Sequence, residues 1–421
     1  MMKSSQNGMF QKTRLENGIK VVTEKMPHVR SVCIGIWVPT GSRHEAPEKN
    51  GISHFVEHML FKGTDTRTSL DISTAVDSLG GEINAFTSRE MTTYYIKVLD
   101  EHLDVALDIL SDIFLHSLFD KKELEKERQV ILEEIRMQED QPEDHVHDLI
   151  QEVVWPNQPL GFPVAGREES VSSINREGII DFIEKRYSQK GIVISCAGNI
   201  EHEACVQAID QGFRDYTSVP GPSPLKPPTY HSGTRVINKD LEQVHLCLSL
   251  PGLRQNHPDR YAFYALNTIL GTNMSSRLFQ EVREKRGMAY SVFSYLSSYI
   301  DSGSLTIYTG TGREKIRAVI EVIRNQLDDL SSQPVSDQEL SKAKEYMKGG
   351  LMLSLESSSS VMSRIAKQTL YFESYQSVDD MVQEIEGVTS EKILELASGS
   401  FRGDQLSMAA IGPIQKEELS S

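Results

Sequence analysis

The chain lacks the usual marks of a secreted, membrane-spanning or nucleic-acid-binding protein. Its four cysteines, Cys33, Cys196, Cys205 and Cys247, are scattered and form no C-x-x-C pair. Neither a disulfide framework nor a thiolate zinc site is indicated. No apolar run reaches membrane-spanning length, and Met1 to Gly8 holds no apolar stretch of the signal-peptide kind. A reducing cytoplasm, away from membranes, is the expected setting. Positive charge is scarce as well: 44 Lys and Arg face 60 Asp and Glu, and the formal net charge of −16 argues against nucleic acid as a partner. What remains is a globular composition, 38% hydrophobic and 25% charged. At 421 residues the chain is too long for one ordinary core and should hold two or three domains.

The most informative segment is Gly51 to Phe61, GISHFVEHMLF, which contains an H-x-x-E-H. His54 and His58 are four apart, so on a helix both imidazoles project from one face and reach one ion. Glu57 lies close enough to contact a water on that ion without being a ligand. Two neutral imidazoles with a carboxylate beside them can bind Zn²⁺ and take a proton from its water. The order is the reverse of H-E-x-x-H and is the inverzincin signature. A solvated helix face is the bland alternative, but Ile52, Phe55, Val56, Met59, Leu60 and Phe61 make this helix apolar nearly all round. Buried polar groups there need partners.

Catalytic zinc takes three protein ligands and keeps an open position. Lys121 to Gln138, KKELEKERQVILEEIRMQ, is helical by propensity, with a stripe Leu124, Glu127, Ile131, Glu134. Two glutamates thus occupy positions that should be apolar, while Glu123, Glu125 and Glu133 read as solvated charge. Glu134 is the expected third ligand. Glu127, two turns earlier, suits a carboxylate that accepts the outer N–H of a ligand histidine.

On these residues the chain resembles the pitrilysin/insulinase family of zinc peptidases over nearly its whole length, especially the short bacterial members and the catalytic subunit of mitochondrial processing peptidase. The resemblance implies one Zn²⁺ per chain held by His54, His58 and Glu134, with Glu57 as general base and Glu127 as the accessory glutamate. Gly80 to Thr87, GGEINAFT, matches the family's strand beside the zinc, whose backbone pairs with an extended peptide. That places Asn84 and Ala85 at the cleavage point. Val282 to Tyr290, VREKRGMAY, matches a segment in which an arginine and a tyrosine seven apart reach the substrate, here Arg283 and Tyr290. Both are suitable donors to an oxyanion. Read without the family, Arg283 is one charge in a solvated run and Tyr290 an ordinary strand aromatic.

Val219 to Pro228, VPGPSPLKPP, is the sharpest break in composition. It divides the chain into an expected metal-binding catalytic domain (1–218), a Pro-rich linker (219–232) and a second domain without the metal site (233–421). The halves are faintly self-similar. Each opens with a strand, Ser31 to Val38 or Val244 to Leu250, and each has an apolar helix stripe. The stripes are Leu103, Ala106, Leu107, Leu110, Phe114 and Ile316, Val319, Ile320, Ile323, Leu327. Laying the second half on the first puts Phe263, Leu266 and Asn267 opposite His54, Glu57 and His58. Ala343 and Gly350 then face Glu127 and Glu134. The duplicate holds no metal-binding set.

The expected fold class is α+β: two homologous domains, each a mostly antiparallel sheet covered by helices on one face, as in mitochondrial processing peptidase. The resemblance implies substrate enclosed by four such domains, hence a homodimer in which Arg283 and Tyr290 face the zinc of the other subunit. The expected activity is zinc-dependent endoproteolysis of unfolded or extended peptides within a closed chamber. The alternative is a catalytically silent peptide-binding or assembly subunit of the same fold. A metal-dependent hydrolase of small molecules has little use for a peptide-pairing strand.

Overall fold

The computed structural model describes residues 9–217, 225–372 and 374–419; residues 219–224 of the expected linker lie outside the described residues. The first half runs β1 (Phe10–Arg14), β2 (Lys20–Lys25), β3 (Ser31–Val38), α1 (Ile52–Leu60), α2 (Ser69–Ser78), β4 (Glu82–Thr87) and β5 (Thr92–Leu99). It continues with α3 (Leu103–Leu115), α4 (Lys121–Asp140), α5 (Pro142–Val154), α6 (Glu168–Ser173), α7 (Arg176–Arg186), β6 (Val193–Gly198) and α8 (His202–Phe213). The second half runs β7 (Thr234–Asn238), β8 (Val244–Pro251), α9 (Arg260–Asn267), β9 (Ala289–Ser298) and β10 (Gly303–Thr311). After these come α10 (Ile316–Ser332), α11 (Asp337–Ser354), α12 (Ser358–Tyr371), α13 (Val378–Glu386), α14 (Ser390–Ser400) and β11 (Ser407–Gly412).

The strands form two mixed sheets, β1-β2-β6-β3-β5-β4 and β7-β11-β8-β10-β9. Leaving β1 aside, the second order repeats the first strand for strand. In each sheet one pair is parallel, β2 with β6 and β7 with β11, and every other pair is antiparallel. The faint self-similarity of the sequence is a repeat of topology.

Contacts divide the chain into two compact units, but not by a single cut. Unit 1 takes the described residues of Met1–Ile135, Pro163–Leu225 and Leu353–Ser377; unit 2 takes those of Arg136–Phe162, Lys226–Met352 and Val378–Ser421. The strands of one sheet all precede residue 199 and those of the other all follow residue 233, while α12 packs in unit 1 and α5 in unit 2.

This exchange corrects the expectation of helices on one face only. One face of the unit 1 sheet packs Val32, Ile34 and Ile36 against Phe55, Val56 and Met59 of α1 and Leu110 and Ile113 of α3. Its other face presents Val22, Cys33, Trp37, Val193 and Ala197, and α12 covers them with Val361, Met362, Ile365 and Ala366. In unit 2, α5 packs Val146, Leu149, Ile150 and Val154 on Cys247, Tyr308, Ala409 and Ile411. The cause is visible in β3, SVCIGIWV, where every residue after Ser31 is buried. A strand apolar at both parities needs cover on two faces.

Candidate metal centre

The side chains of the H-x-x-E-H meet in unit 1 on α1. That helix begins at Gly51, whose φ of +94° is left-handed and disfavours any side chain. A Cβ there would also lie 2.7 Å from the Ala165 carbonyl oxygen. Gly51 offers no capping side chain, and a distant carboxylate takes that role. Buried Glu45 accepts the Gly51 N–H (2.7 Å) and the Asn50 amide (2.9 Å) at Oε2, and the Ser53 N–H (2.8 Å) at Oε1. A carboxylate at the positive end of a helix satisfies donors that otherwise have no partner. Burial pushes the Glu45 carboxyl up to about 7, against the pull of these hydrogen bonds.

Along α1, Ile52, Phe55, Val56, Met59 and Leu60 are buried, which fixes the direction of the remaining residues. His54 Nε2 and His58 Nε2 come within 3.1 Å of each other. Glu134 of α4 brings Oε2 to 3.8 Å from the first and 3.7 Å from the second. These three residues are the one group of metal-ligating side chains found among the described residues, each offering an atom within 4.8 Å of the others. His58 donates from Nδ1 to Glu127 Oε1 at 2.8 Å, leaving its Nε2 lone pair toward the cluster. Hydrogen bonds from His58 and Lys62 outweigh burial and hold the Glu127 carboxyl below the usual carboxylate range. His54 is pushed down to about 3, first by burial and then by neighbouring His58, so its imidazole is neutral at physiological pH.

The donors fit a divalent ion of the zinc class. Tetrahedral zinc with bonds of roughly 2.0–2.1 Å sets its ligand atoms about 3.3–3.4 Å apart, and the distances here straddle that value. Two neutral imidazoles and one carboxylate are an ordinary set for such an ion. One feature departs from the usual pattern: the buried Nδ1 of His54 has no hydrogen-bond partner.

Glu57 lies beside this cluster but not in it. Thr87, the last residue of β4, donates its hydroxyl to Glu57 Oε2 at 2.5 Å. Burial raises the Glu57 pKa and Glu134 adds to the rise; Thr87 and His58 oppose it. Among the described residues, strand β4 ends the sheet and pairs with β5 alone. On it, the Ala85 N–H is met by the Asn84 side-chain oxygen at 2.8 Å.

Unit 1 thus brings together His54, Glu57, His58, Glu127 and Glu134, with Asn84 and Ala85 on the adjoining strand. Glu127 is buried as the stripe predicts, while the Glu134 side chain is 49% exposed. The stripe carried one glutamate inward and left the other at its rim. In unit 2, Arg283 and Tyr290 also meet: the guanidinium lies 4.5 Å from the centre of the Tyr290 ring. Tyr290 is 78% exposed at the start of β9.

Residues 20–168 match the family described as Insulinase (Peptidase family M16), and residues 173–347 match the Peptidase M16 inactive domain. Over 405 residues the chain is 45% identical to the uncharacterized zinc protease YmxG of Bacillus subtilis (strain 168), covering 96% of this chain and 98% of that one. The chain belongs to peptidase family M16. It is also 40% identical to an uncharacterized zinc protease of Streptomyces coelicolor, covering 98% of this chain and 92% of the relative. Among solved structures, a protease from Helicobacter pylori superposes with a TM-score of 0.90 at 23% identity, over 96% of this chain and 99% of the other. A peptidase M16 inactive domain from Pseudomonas fluorescens gives 0.90 at 19%, over 96% and 98%. At these identities the two structures speak for the fold. The first M16 region contains the whole His/His/Glu cluster, and the second contains Arg283 and Tyr290.

Glu45, Thr87 and Lys62 contribute to the M16 centre without being read from the sequence. A signal existed for Glu45, since α1 begins on a glycine and needs a cap from elsewhere. Thr87 meets Glu57 and Lys62 meets Glu127 through contacts that the tertiary fold defines.

Proposed function

We propose that this M16 chain is a metal-dependent endopeptidase acting on unfolded or extended peptides. The observation that carries the proposal is that α1, whose two histidines cluster with Glu134 of α4, also bears a separate carboxylate, Glu57, held by the edge strand. A zinc ion bound by His54, His58 and Glu134 would supply Lewis acidity, polarising a peptide carbonyl and lowering the pKa of a water toward ~7. The chain's own part follows from the hydrogen bonds. Thr87 fixes Glu57 Oε2, so Oε1 is the oxygen free to take a proton from water and pass it to the departing amine. Glu127 keeps His58 in the tautomer that presents Nε2.

Strand β4 supports recognition by strand addition, because among the described residues no strand pairs with its outer edge. Asn84 would turn aside from the Ala85 N–H as that donor engages the peptide. By resemblance to the family, two copies of the chain would enclose the substrate, with Arg283 and Tyr290 of one donating to the carbonyl oxygen at the centre of the other.

A second reading is a catalytically silent peptide-binding or assembly subunit of the same fold. The half-exposed Glu134, at 3.7 and 3.8 Å from the two imidazoles and so farther than the roughly 3.3–3.4 Å between ligands of one tetrahedral zinc, favours it. Turnover separates the two. Zinc-loaded wild type and Glu57→Gln are compared on an unstructured basic peptide. The peptidase reading expects cleavage that falls by roughly a hundredfold or more in the variant, as for a lost general base. Peptide binding without cleavage in either protein establishes the silent subunit.

A further inference from the structure

Lys62 lies two residues beyond the end of α1, with its backbone N–H bonded to the Met59 carbonyl at 3.1 Å. Its ammonium meets Glu127 Oε2 at 2.6 Å, with its side chain 29% exposed and that of Glu127 8% exposed. The other carboxylate oxygen accepts the His58 Nδ1–H. One buried carboxylate is therefore shared between a ring on α1 and a cation just past the end of the same helix.

The division of labour is set by charge. A buried carboxylate needs compensation, and a neutral imidazole supplies one hydrogen bond but no charge. Lys62 is the cation paired with Glu127 among the described residues. The two contacts use different oxygens, so fixing Oε2 also fixes the direction in which Oε1 faces His58. A carboxylate free to rotate about its last bond would hold the ring less well.

We propose that Lys62 is a positioning residue for the metal centre: through Glu127 it locks the His58 ring with Nε2 toward the cluster. The role rests on the reading of His54, His58 and Glu134 as a metal site. Lys62→Met keeps the stem and removes the cation, whereas Lys62→Arg keeps the charge. Groups that orient metal ligands are worth about 10–100-fold in affinity. Zinc affinity, measured by chelator competition on the full chain, is expected to fall by that factor in Lys62→Met and to return to within a few-fold of wild type in Lys62→Arg.

A second readout needs no metal. In zinc-free protein, imidazole NMR should show the His58 Nδ1 proton protected from exchange in wild type and Lys62→Arg, and exposed to exchange in Lys62→Met. A lysine that merely stabilised the fold would lower the thermal midpoint without moving this signal. Wild-type zinc affinity together with a protected His58 proton in Lys62→Met would overturn the role while leaving the metal reading intact. Failure of the wild type itself to bind zinc would remove the metal reading, and this role with it.

Discussion

The two units share one sheet topology, yet they use the equivalent helix for different ends. In unit 1, α1 turns two histidines and a glutamate toward a cluster and recruits support from three other places: Glu45 at its start, Glu127 on α4 and Thr87 on β4. In unit 2, α9 has Phe263, Leu266 and Asn267 at the positions that the sequence repeat sets against His54, Glu57 and His58, and all three are buried. Phe263 and Leu266 are core. Asn267 spends its amide locally, donating to the Thr272 hydroxyl (2.9 Å) and accepting from the Ser294 hydroxyl (2.7 Å), which ties the helix to β9. Along α11, Ala343 is packed, and a side chain added at Gly350 would meet nothing within 4 Å. The frame tolerates either use of the position. A metal set needs its own polar scaffold, and only unit 1 has one among the described residues.

The sharpest way to break the comparison is to give unit 1 the chemistry of unit 2. His54→Leu should abolish zinc binding, because one of three ligands is gone. The metal-free protein should keep or slightly raise its thermal midpoint, since a buried imidazole with an unpartnered Nδ1 gives way to an apolar side chain. A sharply destabilised metal-free variant would mean that His54 serves the fold. The converse substitution, Leu266→Ala, should cost about 2–5 kcal/mol through the cavity it leaves and not alter zinc affinity. Chemical denaturation of both variants, with and without zinc, checks the pair.

A smaller effect concerns the cap of α1. The folded-state pKa of Glu45, about 7, lies above the roughly 4.3 of an unfolded glutamate. Between those values the folded chain holds the proton more tightly, so stability from this group is full below about pH 4.3 and lost as pH rises through 7. Glu45→Gln cannot titrate. The stability of the wild type relative to this variant should therefore decline from pH 5 to 7.5, on top of a constant offset for altered hydrogen bonding. A difference that stays flat over that range would show that Glu45 is ionised throughout.

Much of this was readable in the sequence because it was local. The spacing His54, Glu57, His58 is a helical fact, and the misplaced Glu127 interrupts an apolar stripe that the structure buries. The repeat, too, was legible through its paired strands and stripes. Exposure of Glu134 was not, since periodicity gives the face of a helix and not the depth of its neighbours. The exchange of α5 and α12 between units escaped for a related reason: an amphipathic helix shows that it needs a sheet face without saying which one. Even so, the doubly apolar β3 was a clue that each sheet wanted a second cover. Glu45, Thr87 and Lys62 act through contacts with residues 6, 30 and 65 positions away, beyond any helical or strand period.

The most direct test of the central claim, that one metal centre exists and lies in unit 1, is the zinc stoichiometry of the full chain after loading and dialysis. Wild type, His58→Ala and its counterpart Asn267→Ala should be measured together by elemental analysis. One zinc per chain is expected for wild type and Asn267→Ala, and none for His58→Ala. Zinc retained at one per chain by His58→Ala, or lost from Asn267→Ala, would contradict it.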